Sequence, residues 1–151
     1  MARSSIPSRT AVAGHPIHPM LIHFPVAALV GLVATDFAYI FTGDEFWARA
    51  SLWLAGVGAV GGWAAGLIGL IDLVSVVQIR RLITAWSHAL VAVMSLSIVT
   101  LNWLLRCQDM LAWVSPWGVT LSVVTAGLIS LAGILGGQLV YEHGVGVDTD
   151  S

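Results

Sequence analysis

Charged side chains are scarce in this sequence. Asp, Glu, Lys and Arg together make up 9% of its 151 residues, whereas hydrophobic residues make up 58%. A soluble domain carries about 25% charged residues, so this chain lacks the polar surface that would keep it in water. We therefore expect an all-α integral membrane protein surrounded by a lipid bilayer.

Basic clusters and paired cysteines are absent as well. Lys and Arg number six and are spread along the chain, which excludes the basic surface typical of nucleic-acid binding. Cys107 is the one cysteine, which excludes a disulfide framework, a CxxC redox or zinc motif and a c-type haem attachment. Since no nucleophile motif with a nearby base is present, we expect an electron-transfer or accessory subunit rather than an enzyme.

Four apolar stretches are long enough to cross a bilayer, which takes roughly 20 residues per helix. Polar or proline-containing segments separate them, and short connections make consecutive helices antiparallel. The sequence therefore predicts a single domain, residues 1–151, folded as an up-down-up-down bundle of four transmembrane helices. Their approximate bounds are 19–42, 50–78, 84–106 and 116–142.

Glycines recur at four-residue spacing on two of these helices. The second helix has Gly58, Gly62 and Gly66, and the fourth has Gly133 and Gly137. Small residues let helix backbones approach closely in lipid. The pattern favours tight packing within the bundle, and a homodimer face or the floor of a flat cofactor pocket are the alternatives.

The arginines indicate how the helices are oriented. We call side A the membrane face on which the N-terminus lies, and side B the opposite face. Side A receives four arginines and side B two: Arg3, Arg9, Arg80 and Arg81 against Arg49 and Arg106. Because short cytoplasmic loops are enriched in basic residues, we expect a multi-pass protein with side A, and hence both termini, in the cytoplasm.

Every histidine of the chain is expected on side A, together with two carboxylates. Antiparallel threading brings these groups to one end of the bundle: His15, His18, His23, His88, His143, Asp72 and Glu142. Imidazole is the commonest metal ligand, and a neighbouring carboxylate fixes its tautomer. Ionisable side chains are costly in a membrane and therefore indicate function. The sequence predicts a histidine-rich site at this face.

The segment that carries the first three histidines, AGHPIHPMLIHFP, is rich in proline. Proline fixes its own φ and disfavours helix at the preceding residue, so we expect His15 and His18 on an extended arm outside the first helix. The helix then begins at Pro19 or at Pro25. A kink at Pro25 would redirect His23.

Two further polar features lie within the predicted helices. His88, Ser95 and Asn102 recur every seven residues on the third helix, which turns this face toward the bundle interior. Asp36, near the side B end of the first helix, is expected either to extend its carboxylate to the interface or to pair with Asn102.

Four motifs of the chain resemble a known family. They are GHPIHPMLIHFPVA (14–27), GLIDL (69–73), AWSHAL (85–90) and GGQLVYEHGVGVD (136–148). With these motifs the chain resembles, over nearly its whole length, the bacterial membrane family called domain of unknown function 2231 (DUF2231). The resemblance implies a four-helix domain in the bacterial inner membrane. Some members are fused to Rieske iron–sulfur domains, which by association implies a redox partner such as a Rieske protein.

Three functions are consistent with these features. The first is a b-type cytochrome-like electron-transfer module, in which His23 and His88 from diagonally opposite helices bind one haem b. The second is a site for a transition metal ion or a proton, formed by the side A histidines with Asp72 or Glu142 as oxygen ligands. The third is a cofactor-free accessory subunit of a membrane complex, whose glycine-lined helices dock a partner.

Overall fold

The computed structural model describes residues 5–147. Two residues used in the sequence-based predictions lie outside the described residues: Arg3, assigned to side A, and Asp148, the last residue of the fourth family motif. Within the described range, four helices are long and apolar enough to cross a membrane, as the sequence predicts.

The first membrane helix, α1, spans Ile17–Thr42 and begins before either predicted start. Proline is tolerated in the first turn of a helix, where an N–H would have no helical partner, so Pro19 is accommodated there. Pro16 stands just before the helix with extended backbone angles, φ −62° and ψ 128°. Pro25 lies inside α1.

A short hairpin precedes α1. Its strands, β1 (Ala11–Val12) and β2 (His15–Pro16), pair in antiparallel fashion. The turn between them places Ala13 at φ 49° and Gly14 at φ 80°, which is the left-handed region that favours glycine. A backbone hydrogen bond from the Ile17 N–H, 2.9 Å long, closes the hairpin onto the start of the helix.

The second membrane helix, α2, spans Glu45–Ser75 and begins earlier than the predicted residue 50. The Asp44 carboxylate accepts a hydrogen bond of 2.9 Å from the Phe46 N–H, and such a cap stabilises a helix N-terminus. The segment TGDE therefore ends α1 and also starts α2. A separate short helix, α3 (Val77–Arg80), follows α2.

The last two membrane helices agree more closely with the sequence. The third, α4, spans Ile83–Gln108, against the predicted 84–106. The fourth, predicted over 116–142, is α5 (Val119–Tyr141), and a kinked segment at Val114–Gly118, in which Ser115 has extended backbone angles, leads into it.

Packing between the helices places α1 chiefly against α2 and α4 chiefly against α5, with α2 in contact with α4. The central core is built from leucine, valine and alanine side chains of three helices: Leu29, Leu32, Ala55, Ala59, Leu96 and Val99. A Cβ on Gly58 would overlap Leu29, and one on Gly62 would overlap Leu96. These two glycines therefore allow tight packing inside the bundle.

Asp36 and Arg106 form an ion pair inside the bundle at its side B end. Arg106 Nη1 and Nη2 donate to the two carboxylate oxygens of Asp36, each at 2.7 Å, and neither side chain has exposed surface. The expectation that Asp36 reaches the interface or pairs with Asn102 is therefore wrong. Arg106 lies near the side B end of α4, on the side predicted from the sequence, but its side chain points into the bundle rather than toward the loop.

Two neutral side chains complete this network. Asn102 Oδ1 accepts from Arg106 Nε at 2.8 Å, and Asn102 Nδ2 donates to Ser122 Oγ at 3.0 Å. Ser122 Oγ in turn donates to Asp36 at 2.7 Å. A buried charge pair is tolerated when its remaining polar atoms are satisfied, and in residues 5–147 no buried side-chain nitrogen or oxygen lacks a partner. The network connects the end of α1, the end of α4 and the start of α5.

Neutralising one member of the ion pair should destabilise the fold strongly. Asp36→Asn leaves the Arg106 guanidinium buried without a counter-charge, and such a loss costs about 3–5 kcal/mol in unfolding free energy. The double variant Asp36→Leu/Arg106→Met removes both charges and should be more stable than Asp36→Asn alone. Unfolding by dodecyl sulfate in mixed micelles, followed by near-ultraviolet circular dichroism, measures the difference.

Asp44→Asn serves as the control for this experiment, since Asp44 is an exposed cap and Asn caps helices equally well. Its unfolding free energy should match that of the wild type. A double variant that is less stable than Asp36→Asn would contradict the assignment of the cost to an unpaired buried charge.

Candidate functional site

A cavity of about 510 Å³ lies among the membrane helices in the side A half of the bundle. Its volume falls within the range of about 300–1,000 Å³ typical of small-molecule sites. Glycines of α2 and α5 line it and leave it open: Gly62, Gly66, Gly69, Gly133, Gly136 and Gly137. The predicted glycine pattern thus serves both helix packing and the walls of a pocket.

His18 reaches this cavity from the first turn of α1. Its Nδ1 lies 2.8 Å from the Ala65 carbonyl oxygen on α2. Because a carbonyl only accepts, Nδ1 carries the proton. The expectation that His18 lies on an arm outside the helix is wrong, because α1 begins at Ile17. That expectation holds for His15, which lies in β2.

His88 reaches the same cavity from α4. Its Nδ1 lies 2.9 Å from the Ala132 carbonyl oxygen on α5, so the same ring nitrogen donates. Ser95 and Asn102, the other members of the predicted polar stripe, are buried. The prediction that this face of the helix points inward is confirmed.

The two imidazoles meet across the bundle. Their ring centres are 6.2 Å apart, and the ring planes are inclined by 85°. The helices that carry them, α1 and α4, both pack on α2 and α5 and are thus diagonal to each other. Within the described part of the chain, neither Nε2 takes part in a hydrogen bond. Both Nε2 lone pairs are available to a ligand in the cavity.

His23 and His15 lie outside this pair. His23 is exposed on α1, where its Nδ1 is 3.4 Å from the Met20 carbonyl oxygen, and it does not line the cavity. His15 is exposed, and its Nδ1 is 2.9 Å from the Ala13 carbonyl oxygen. The structure therefore brings His18, rather than His23, opposite His88.

The remaining predicted ligands, beyond the end of α5, do not join the histidine pair. His143 Nε2 is 3.5 Å from Thr84 Oγ1, and Glu142 is exposed. Across residues 5–147, no three or more His, Cys, Asp or Glu side chains form a group that could hold a metal ion. The seven predicted side chains share one end of the bundle without forming one cluster.

Asp72, in the last turns of α2, holds the N-terminal segment. Its carboxylate accepts hydrogen bonds from the hydroxyls of Ser8 and Thr10, at 2.5 and 2.9 Å. It also accepts from the backbone N–H groups of Arg9 and Thr10, both at 2.9 Å. Both carboxylate oxygens are thus occupied by the chain itself, and the sequence contains no motif that signals this role.

A backbone contact fixes the same segment to the end of the chain. The Ile6 N–H donates to the Gly144 carbonyl at 3.0 Å, and the Gly146 N–H donates to the Ile6 carbonyl at 2.9 Å. We call residues 6–16 the strap. Pro16 of the strap and Gly146 both line the cavity, so the strap forms part of its side A wall.

Replacing the Asp72 carboxylate should loosen the strap. Asp72→Asn retains one acceptor oxygen, but its NH₂ group cannot accept from the Ser8 and Thr10 hydroxyls. Hydrogen bonds to charged groups contribute about 1.5–3 kcal/mol, so we expect trypsin to cleave after Arg9 about tenfold faster or more. Limited proteolysis in detergent micelles with mass spectrometry measures the rate.

Glu142→Gln is the matched control, because it also removes a side A carboxylate but one that is exposed. Its cleavage rate after Arg9 should equal that of the wild type. Equal rates for wild type and Asp72→Asn would show that Asp72 does not hold the strap closed.

A comparison with protein families gives one match: the model of a family described as "Predicted membrane protein (DUF2231)" covers residues 14–149. That range includes all four membrane helices and all five histidines. No curated protein and no solved structure matches the chain.

Proposed function

The chain belongs to the DUF2231 family of predicted membrane proteins, and from this starting point we propose that it is an electron-transfer module in which His18 and His88 bind one haem b. The observation that carries the proposal is the pair of imidazoles at the cavity, with ring centres 6.2 Å apart and nearly perpendicular ring planes, each with Nδ1 bonded to a helix carbonyl and Nε2 free. His18 takes the place that the sequence-based hypothesis gave to His23.

The spacing of the two rings fits ligation of one metal centre from opposite sides. With nitrogen–metal distances of about 2 Å, two such imidazoles have ring centres roughly 6 Å apart, and the observed separation is 6.2 Å. A hydrogen bond from the distal ring nitrogen to a carbonyl orients a ligating histidine and raises its basicity. Ala65 and Ala132 supply these carbonyls from helices that pack on either side.

The number of available donors favours haem over a bare metal ion. Structural metal sites take four protein ligands and catalytic sites take three. Among the His, Cys, Asp and Glu side chains of residues 5–147 that line the cavity, the two imidazoles have a free donor atom, whereas the strap occupies both carboxylate oxygens of Asp72. A porphyrin supplies four nitrogens of its own, so two histidines complete the coordination. The glycines on α2 and α5 leave space beside the rings for a flat group.

Haem b held by two histidines supplies one-electron exchange at its iron. The chain's part is to hold both Nε2 atoms in place and to keep water away with an apolar cavity, which tunes the reduction potential. Since the site lies in the side A half, the redox partner would dock on side A. A Rieske iron–sulfur protein is the class of partner that the family resemblance implies.

The proposal is tested on protein purified in detergent from cells supplied with a haem precursor. The wild type should show a Soret band and, after dithionite reduction, the sharp visible bands of low-spin haem. His18→Ala and His88→Ala should each lose those reduced bands. His18→Met, which offers a methionine sulfur in place of Nε2, should retain haem with a raised midpoint potential, as methionine–histidine ligation does.

His23→Ala is the control, because it removes an exposed histidine from the same helix, and its spectrum should equal that of the wild type. Elemental analysis of the same samples separates the alternatives. A stoichiometric transition metal without a Soret band, lost in His18→Ala, would establish the metal-ion function instead. Absence of both would leave the cofactor-free accessory subunit as the function.

The orientation proposed from the arginines gains support from the ion pair. Arg106 is buried with Asp36 and no longer counts as a side B loop charge. Among the described residues other than Arg106, the arginines at the ends of the membrane helices or between them then number three on side A, Arg9, Arg80 and Arg81, against one on side B, Arg49 in the first turns of α2. By the positive-inside rule we place the chain in the bacterial inner membrane with side A and both termini in the cytoplasm.

Cys107 offers a direct test of this orientation. It is exposed near the side B end of α4, so a membrane-impermeant maleimide should label it in intact spheroplasts. Cys107→Ser should abolish the labelling. Labelling that requires cell lysis would place side B in the cytoplasm and reverse the orientation.

A further inference from the structure

His18 and His88 have corresponding neighbours: each imidazole bonds to an alanine carbonyl and lies beside a glycine. His18 Nδ1 donates to Ala65, and a Cβ on Gly69 would lie 3.0 Å from that same Nδ1. His88 Nδ1 donates to Ala132, and a Cβ on Gly136 would lie 3.5 Å from Nδ1 and 3.4 Å from Cε1. In both cases a glycine lies one helical turn after the carbonyl that accepts from the imidazole.

Glycine at this position has a physical reason. A side chain four residues after a helix carbonyl lies beside its free lone pair, because Cβ atoms tilt toward the helix N-terminus. Hydroxyls of this chain show the effect: Ser130 Oγ donates to the Ala126 carbonyl at 2.8 Å, and Ser97 Oγ to the Val93 carbonyl at 2.8 Å. At Ala65 and Ala132 the corresponding position is a glycine, and an imidazole from another helix occupies the vacant space.

The repetition extends to the helices that carry these groups. The α2 segment reads AGLIG over 65–69, and the α5 segment reads AGILG over 132–136. Asp36 and Arg106, the members of the side B ion pair, are 70 residues apart, and His18 and His88 have the same separation. Buried residues follow the same offset: Pro25 and Ser95, Leu29 and Val99, Leu32 and Asn102. The α1–α2 and α4–α5 hairpins thus share this spacing of buried and polar residues and the same imidazole–carbonyl contact.

We propose that Gly69 and Gly136 are positioning residues that give two equivalent imidazoles the same Nδ1–H tautomer and aim both Nε2 lone pairs at one ligand between the halves. The proposal rests on the proposed function for the identity of that ligand. It narrows the ligand class to one whose two faces are chemically equivalent, as the two faces of a metal macrocycle are. The positioning itself is a property of the chain without the ligand.

The two glycines differ in how closely the imidazole approaches. The Cβ of Gly69→Ala would crowd three ring atoms of His18 at 3.0–3.3 Å, so the ring must shift by a few tenths of an ångström and its hydrogen bond to Ala65 is weakened. The Cβ of Gly136→Ala would make ordinary van der Waals contact with His88. We therefore expect alanine to disturb the site at 69 and to be tolerated at 136, where valine is needed to displace the ring.

Long-range ¹H–¹⁵N correlation spectra of haem-free, histidine-labelled protein in micelles test this at about pH 8, above the ordinary histidine pKa of about 6.5. In the wild type, His18 and His88 should both give Nδ1–H tautomer signals. Gly69→Ala should convert the His18 signal alone into that of a mixture of tautomers. Gly136→Val should do the same for His88 alone.

Matched controls come from the same two helices. Gly66→Ala gains the same helix propensity as Gly69→Ala, but its Cβ meets only Leu96, at 3.7 Å. Gly133→Val controls for Gly136→Val, because a Cβ at Gly133 meets nothing within 4 Å. Both controls should keep wild-type tautomers.

Three results would overturn the positioning role: an Nε2–H tautomer for either histidine in the wild type, an unchanged His18 signal in Gly69→Ala, or equal changes in Gly66→Ala and Gly69→Ala. The expected tautomers in a protein that binds no haem would leave positioning intact and reject the proposed function. In haem-loaded protein, Gly69→Ala should lower the fraction of six-coordinate low-spin haem, whereas Gly61→Ala should not, because Gly61 lies outside the cavity and its Cβ would make ordinary contact with Pro25 at 3.6 Å.

Discussion

Polar groups in the interior of a membrane bundle must find their partners within the chain, because lipid offers no hydrogen bonds in exchange. The two halves of this bundle respond to that constraint differently. On side B, Asp36, Arg106, Asn102 and Ser122 satisfy one another in a closed network. On side A, two imidazoles satisfy one nitrogen each and leave the other free. The closed network is a structural anchor, and the open pair leaves two nitrogen atoms at the cavity without a partner among the described residues.

Glycine has two distinct effects along α2. Toward side B, Gly56 and Gly58 allow Trp103 and Leu29 to pack directly on the helix backbone. Toward side A, Gly66 and Gly69 line the cavity, and Gly69 exposes the Ala65 carbonyl to His18. The same residue type thus increases packing in one half, where it strengthens dispersion contacts, and leaves space in the other. A ligand in the cavity would contact backbone on α2 and α5 and imidazole on α1 and α4.

Much of the fold is predictable from hydropathy alone. The four apolar stretches have the length that a bilayer requires. The polar stripe formed by His88, Ser95 and Asn102 faces the bundle interior, because polar side chains are costly in contact with lipid. The exact helix starts depend on local capping: Asp44 extends α2, and the tolerance of a first-turn proline extends α1. The residue at which a helix begins matters because it determines toward which side of the helix every later side chain points.

The histidines of α1 show why these side-chain directions could not be inferred from the sequence. His18 enters the cavity only because α1 begins before Pro19, and the same helical rotation leaves His23 facing outward. The partner of Asp36 could not be predicted from the sequence for a related reason. The sequence pattern is the same whether an arginine near a helix end extends its side chain to the membrane interface or turns it into the bundle. The equal separation of the two pairs, His18 with His88 and Asp36 with Arg106, is the one sequence signal that would have linked them.

The strap makes completion of the site depend on both ends of the chain. Ile6 bonds to Gly144 and Gly146, which follow the last membrane helix. During synthesis the N-terminal segment is made first, and Asp72 of α2 follows early, but the backbone partners of Ile6 are made only after α5. The wall that the strap contributes to the cavity is therefore complete only once both ends of the chain have been made.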